Sequence, residues 1–284
     1  MTRTIRAVRT LAWEFTLPAA LVVVWWLVSA QTGSLYFPPL SRILTRFHEL
    51  WLFERFTSDV LPSVVNLAVG YLAAAVVGVA LGVAMGLVPW LREAVNPAVQ
   101  FLRALPAVAL LPLAIQLLGI GWSMKAGVIF FGALWPVLLN TIDGVRSIDP
   151  LVREMTSSYR ITRRERVRHV VLPAAGPQIF VGLRASLSVA VILLLASELV
   201  GSSSGLGFFV LQAQRQFNTT DMWAGMVLLG VIGYLLNVGL QALERRVLGW
   251  HFERRRKNRP ETRARREQPG PRPSLSKESA VDQH

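Results

Sequence analysis

The chain has 284 residues, of which 52% are hydrophobic and only 17% charged, and its mean hydropathy of +0.43 is that of an integral membrane protein, which excludes an ordinary soluble globule. A formal net charge of +13 would suit a nucleic-acid binder, yet the basic residues lie between apolar runs and at the chain ends instead of on one folded face, so positive-inside topology accounts for them better. The absence of cysteine rules out a disulfide framework, a thiolate metal site and a thiol nucleophile.

In chain order, Arg3, Arg6 and Arg9 precede an apolar run at 15–30 that is long enough to span a bilayer. The SAQTGS that follows is a weak cleavage site, so the run is read as an uncleaved first transmembrane helix with the N-terminus inside. Residues 31–62 then lie outside. Within them, 41–56 places Ile43, Leu44, Phe47, Leu50 and Trp51 opposite Arg42, Arg46 and Glu49, an amphipathic helix with Ser41 as its N-cap. It rests either at the outer interface or on the spanning bundle. The second span, 63–88, holds Gly70, Gly78, Gly82 and Gly86, the last three recurring every four residues on one face. Small residues let helix backbones approach closely in lipid, and packing inside the chain is preferred to a dimerisation motif because such faces serve any close helix pair.

Residues 89–103 read as a short cytoplasmic connection carrying Arg92 and Arg103. The next span, 104–118, contains Pro106 and Pro112 and rises only about 22 Å against a hydrocarbon core of about 30 Å. It must begin earlier or be broken. Interrupted spans point to a transport pathway, since irregular backbone is tolerated only where protein or a water-filled cavity covers it. Pro106, Ala109, Pro112 and Gln116 are therefore pathway candidates, although a proline kink satisfied by neighbouring helices has the same signature. A tight outer turn at 119–123 leads into the fourth span, 125–140, where Lys125 is placed to snorkel outward and Asn140 sits near the inner end.

The stretch 149–184 is a polar island between apolar runs, with seven arginines between Arg146 and Arg168. Its expected order is a short helix opened by Pro150, a turn, a second short basic helix and a stop at Leu172-Pro173. The fifth span, 178–200, ends with Glu198, a carboxylate whose depth makes it either a pathway group or a helix-end group bonded to the glycine loop after it. That loop, 201–207, has the composition of a phosphate cradle but lacks the Gly-Lys-Ser/Thr ending. The sixth span is 223–243, and the tail after it buries too little apolar area to fold. With six spans and both ends inside, only Arg42, Arg46, Arg55, Lys125 and Arg215 of the 30 Lys and Arg remain outside.

Within the island, Glu154 followed at the right distance by Val170-x-Leu172-Pro173 resembles the cytoplasmic Glu-Ala-Ala loop of ABC importer permeases. Met155 and Thr156 stand where that pattern has alanines, and Arg160 where it has glycine. The flanks FPPLSRIL at 37–44, PAVQFLRALPAVALLPLAIQLLGIG at 97–121, LLNTIDGVRSIDP at 138–150 and SELVGSSSGLG at 197–207 are similar to the nitrate, sulfonate, taurine and bicarbonate importer permeases. The resemblance covers roughly 35–250 in one register.

It implies an all-α integral membrane protein of the type I ABC importer permease kind, with about six transmembrane helices and cytoplasmic termini, in the plasma membrane. It divides the chain into a cytoplasmic segment at 1–13, a permease domain at 14–250 with its coupling loop at 146–177, and a disordered basic tail at 251–284. It also implies a cytoplasmic ATPase subunit holding the ATP, an extracytoplasmic solute-binding protein and a second permease copy, with no cofactor in this chain. The ATPase-coupling residues would be Glu154, Met155, Thr156, Ser157, Arg160, Thr162, Arg163, Leu172 and Pro173. The alternative is a solvated positive-inside loop, since orientation alone accounts for basic loops.

His48, His169, His251 and His284 are scattered, and none has an acid or hydroxyl spaced to make it a catalytic base. The chain thus reads as a pore driven by energy from elsewhere. A stand-alone secondary transporter or channel would usually carry ionisable groups at mid-membrane, which are nearly absent here. A membrane-embedded enzyme is the third reading. The solute is unspecified by the residues, with a sulfonate-, nitrate- or taurine-like anion implied by the resemblance.

Overall fold

The computed structural model describes residues 36–51, 55–159 and 161–249, together with 16, 20 and 22–29. Of the expected first span, 16, 20 and 22–29 are described and helical, and the segment at 1–13 and the tail at 251–284 lie outside the described residues. Residues up to Leu240 form one compact unit and Gln241 begins a second.

The elements are α1 (Leu40–Glu49), a π-helical turn (Phe56–Val60) running into α2 (Leu61–Leu87), α3 (Pro89–Ala104), a 3-10 turn (Ala107–Leu110), α4 (Leu111–Leu118) and α5 (Trp122–Arg146). They continue as α6 (Pro150–Ser158), α7 (Arg163–Arg166), a π-helical turn (Val167–Val171), α8 (Leu172–Val200), α9 (Leu206–Arg215) and α10 (Thr219–Val247). Among the described residues, Phe56–Leu87, Trp122–Arg146, Arg163–Val200 and Thr219–Val247 are long and apolar enough to cross a membrane. A fifth span is broken: α3 and Ala107–Leu118 meet at 83°.

The bundle is built on α5. The glycine stripe of α2 lies against it so closely that an added Cβ would sit 2.7 Å from the Ala126 carbonyl oxygen at Gly70, 2.9 Å from Val137 Cβ at Gly78, 2.5 Å from Thr141 Cβ at Gly82 and 2.7 Å from Val145 Cβ at Gly86. The stripe is thus used within the chain. On the other flank of α5, α8 approaches through Gly182, whose added Cβ would lie 2.8 Å from Asn140 Cβ, and against Gly144, where it would lie 2.8 Å from Gln178 Cβ. Interhelical hydrogen bonds add to this contact. Ser186 donates to the Ala133 carbonyl at 2.6 Å, Gln178 to Asn140 Oδ1 at 3.0 Å, and Tyr71 of α2 to the Leu183 carbonyl at 3.0 Å.

Four local expectations are corrected. Pro39, not Ser41, occupies the N-cap of α1, because the proline pair at 38–39 sets the extended entry. The helix lies on the bundle, with Ile43, Leu50 and Trp51 buried against Leu206, Phe209, Ala224 and Leu228, while Leu44 is exposed. Residues 89–103 are helix α3, since Val88 is extended before Pro89 and the proline restarts the helix. Pro173 stops nothing: α7 continues through the π-helical turn, where Leu172 donates to the Val167 carbonyl, and Pro173 falls in the first turn of α8, which tolerates its missing N–H. Lys125 is 5% exposed, because α5 starts at Trp122 and carries it under the 201–207 loop.

The stripe makes a direct test. Gly82→Ile is expected to lower stability by about 1–3 kcal/mol through overpacking, read as thermal unfolding of the detergent-solubilised protein. Gly230→Ile on α10, where nothing lies within 4 Å of an added Cβ, should leave the transition unmoved. Equal shifts in the two variants would contradict the close crossing.

Candidate functional site

The polar island folds as a helical hairpin at one end of α5. After α5 ends, Asp149 Oδ1 accepts the Leu151 N–H at 2.9 Å and starts α6 at Pro150. The chain turns after Ser158, with Ile161 N–H donating to the Thr156 carbonyl at 3.3 Å. Thr162 then caps α7 in a reciprocal box: its Oγ1 accepts the Glu165 N–H at 3.3 Å and its own N–H donates to Glu165 Oε2 at 3.2 Å. This rebuilds a short helix without the glycine that the resemblance pattern places at 160.

Glu154, Met155, Thr162 and Arg163 are exposed on the hairpin, Thr156 is buried beneath it, and Leu172 packs beside Val171 and Ala175. Pro173 is half-buried at the start of α8. Arg160 and the Ser157 side chain lie outside the described residues. Two apolar residues join the group: Leu151 and Tyr159 flank Met155 at four-residue spacing and are 61% and 77% exposed, against 52% for Met155. Their spacing in a polar island was the available signal. An exposed apolar stripe on a charged hairpin suits a protein partner better than solvent.

The expected pathway segment is broken where the residue before a proline must be extended: Leu105 has φ −71° and ψ 124°, and Pro106 is likewise extended. Pro106, Ala109, Pro112 and Gln116 are all exposed, while Leu111 is buried and Ala107, Ala114 and Ile115 pack on the core. The four candidates therefore share the side of the segment that the chain itself leaves uncovered.

Glu198 is fully buried at the other end of the bundle. Its Oε1 accepts from Ser63 Oγ at 2.6 Å and its Oε2 from the Gly207 N–H at 2.8 Å, while Ser63 Oγ accepts the Leu206 N–H at 2.9 Å. Asp59 Oδ1 accepts the Gly205 N–H at 3.0 Å. Three successive free N–H groups at the start of α9 are thus met by Asp59, Ser63 and Glu198, a geometry that favours negative charge. Gly205 has φ +117° and an added Cβ would lie 2.5 Å from Glu198 Oε1, so the loop requires glycine there. Of its two expected roles, Glu198 has the contacts of the helix-end group.

Glu198→Ala should cost about 1–3 kcal/mol by stranding the Gly207 N–H and Ser63. Hydrogen exchange should quicken at Gly205–Gly207 and stay unchanged in α6. Unaltered exchange in the loop would refute the capping role.

Residues 74–249 match the family described as binding-protein-dependent transport system inner membrane component. The taurine transport system permease protein TauC of Escherichia coli is 33% identical over 243 residues, 83% of this chain and 88% of its own length. The nitrate import permease protein NrtB of Synechocystis is 30% identical over 235 residues, 80% and 85% of the two chains. Among solved structures, an inward-facing MetNI methionine ABC transporter chain superposes with a TM-score of 0.58 at 23% identity, over 66% of this chain and 94% of that one, a likeness of fold. The helical bundle, the broken span and these matches together place the chain in the family of binding-protein-dependent transport system inner membrane components, as a multi-pass plasma-membrane permease of the type I ABC importer fold.

Proposed function

We propose that this chain is the permease of an importer for a small anion bearing a sulfonate or similar oxyanion group, received from an extracytoplasmic binding protein. The observation that carries the reading is similarity over four-fifths of the chain to permeases named for taurine and for nitrate. Both termini and the α6–α7 hairpin face the cytoplasm, as the arginine bias favours. There the hairpin seats in a groove of an ATPase subunit that binds and hydrolyses the ATP. Leu151, Met155 and Tyr159 supply its apolar contact. Glu154 and Arg163, with Ser157 and Arg160, supply the charged and polar rim, while Thr162, Leu172 and Pro173 hold the hairpin rigid on α8 so that ATP-driven closure moves the span. A second copy of the permease covers the exposed side of the broken segment, and the solute passes along Pro106, Ala109, Pro112 and Gln116.

Two measurements test this reading. Glu154→Lys and Met155→Asp should each lower binding-protein-dependent uptake at least about tenfold, by removing contacts worth about 1.4 kcal/mol or more. A Ser158→Cys probe should cross-link to the ATPase and react with an impermeant reagent only after lysis. Normal uptake in both variants with no cross-link would leave the hairpin without a coupling role. Along the pathway, Ala109→Trp should abolish uptake while subunit assembly, followed by co-purification, is retained; undiminished uptake with large residues at both Ala109 and Gln116 would move the route elsewhere.

A further inference from the structure

At the end of the bundle opposite the hairpin lies a cavity of about 370 Å³ between the starts of α2 and α5 and the loop after α8. Its size falls in the usual small-ligand range of roughly 300–1,000 Å³. Lys125 lines it and is 5% exposed. The ammonium donates to Ser202 Oγ at 2.6 Å and to the Ser204 carbonyl at 3.4 Å. The ion pairs formed among the described residues are Arg46–Glu49, Arg46–Asp221 and Arg55–Asp59, so Lys125 has neutral oxygens for company and a third N–H left over.

A buried cation met only by neutral acceptors is expensive, and an anion is the group that offsets the cost. Two more features of the cavity have the same polarity. Gly121 and Trp122 form the start of α5, a 25-residue helix whose N-cap supplies no side-chain acceptor, so its free N–H groups and dipole favour negative charge there. Asn66, also 5% exposed, lines the cavity and has no side-chain hydrogen bond among the described residues, which leaves its amide donors available. Nearby Glu198 and Asp59 accept the N–H groups of Gly207 and Gly205, and neither forms an ion pair with the ammonium.

We infer that this cavity is an anion-binding vestibule, in which Lys125, Asn66 and the first turn of α5 hold the sulfonate or oxyanion group of the solute at the mouth of the permease. The inference deepens the proposed import of an anion and rests on that reading for its place in transport.

Because the chain has no cysteine, a full-length Ser203→Cys variant, assembled with its partner subunits in proteoliposomes, reports on the cavity that Ser203 lines. At low ionic strength, anionic sulfonatoethyl methanethiosulfonate should modify it about tenfold faster than cationic trimethylammonioethyl methanethiosulfonate, each normalised to a small-molecule thiol. Methanesulfonate should slow the modification and glucose should not. Lys125→Met should erase both the preference and the protection, and Lys125→Arg should retain them; if Lys125→Met does not assemble, protection in the parent variant decides. Equal normalised rates, absence of protection, or protection that survives in Lys125→Met would each overturn the site. Uptake of taurine or nitrate without protection would discard the vestibule and keep the transport reading, whereas protection with uptake confined to uncharged solutes would do the reverse.

Discussion

In lipid the tails around a helix are as apolar as the helix itself, so helices are held by how closely they pack and not by the flight from water. In this permease that constraint falls on α5. On one side, Gly70, Gly78, Gly82 and Gly86 bring the backbone of α2 onto it; on the other, Gly144 and Gly182 do the same for α8. The remaining elements are placed by this three-helix core. Leu111 of α4 is buried with Met124, Val128 and Ile129 of α5 and with Leu193 and Leu194 of α8, so the broken segment is fixed by one face and open on the other.

Polar groups are used at both ends of the core. At one end, the carboxylates of Asp59 and Glu198 and the hydroxyl of Ser63 meet the first N–H groups of α9. Arg55 bonds Asp59 at 3.3 Å and lies 5.1 Å from the centre of the Phe209 ring, which ties the entry to α2 onto α9. Arg46 on α1 reaches Asp221 on α10 at 2.8 Å, and that hydrogen bond raises the guanidinium pKa further above its ordinary value, so the arginine stays charged. At the other end, α6 and α7 are joined by a capped turn and run through a π-helical turn into α8. The hairpin is continuous with α5, which leads into it, and with α8, which leaves it, two of the three helices of the core. That continuity is the physical basis for proposing a coupling role for it.

The residues that depart from the family pattern fit this account. Met155 replaces an alanine and stands between Leu151 and Tyr159 on the exposed face. Thr156 replaces the next alanine and is buried. The glycine of the pattern is replaced by Arg160, and the second helix is started instead by the Thr162–Glu165 box.

The sequence by itself determined the membrane class, the four long spans after residue 60, the interruption of the segment at 104–118 and the polar hairpin within 149–184, because each is written locally, in run length, proline sterics and clustered charge. Only the tertiary structure decided what each face meets. Glycine spacing on α2 does not name α5 as its partner, and Glu198 finds Ser63 across 135 positions of chain. An apparent snorkelling end at Lys125 became a buried cation once Ser202 and Ser204 folded over it. Burial and pairing depend on segments far apart in sequence, and no local pattern records which of them come together.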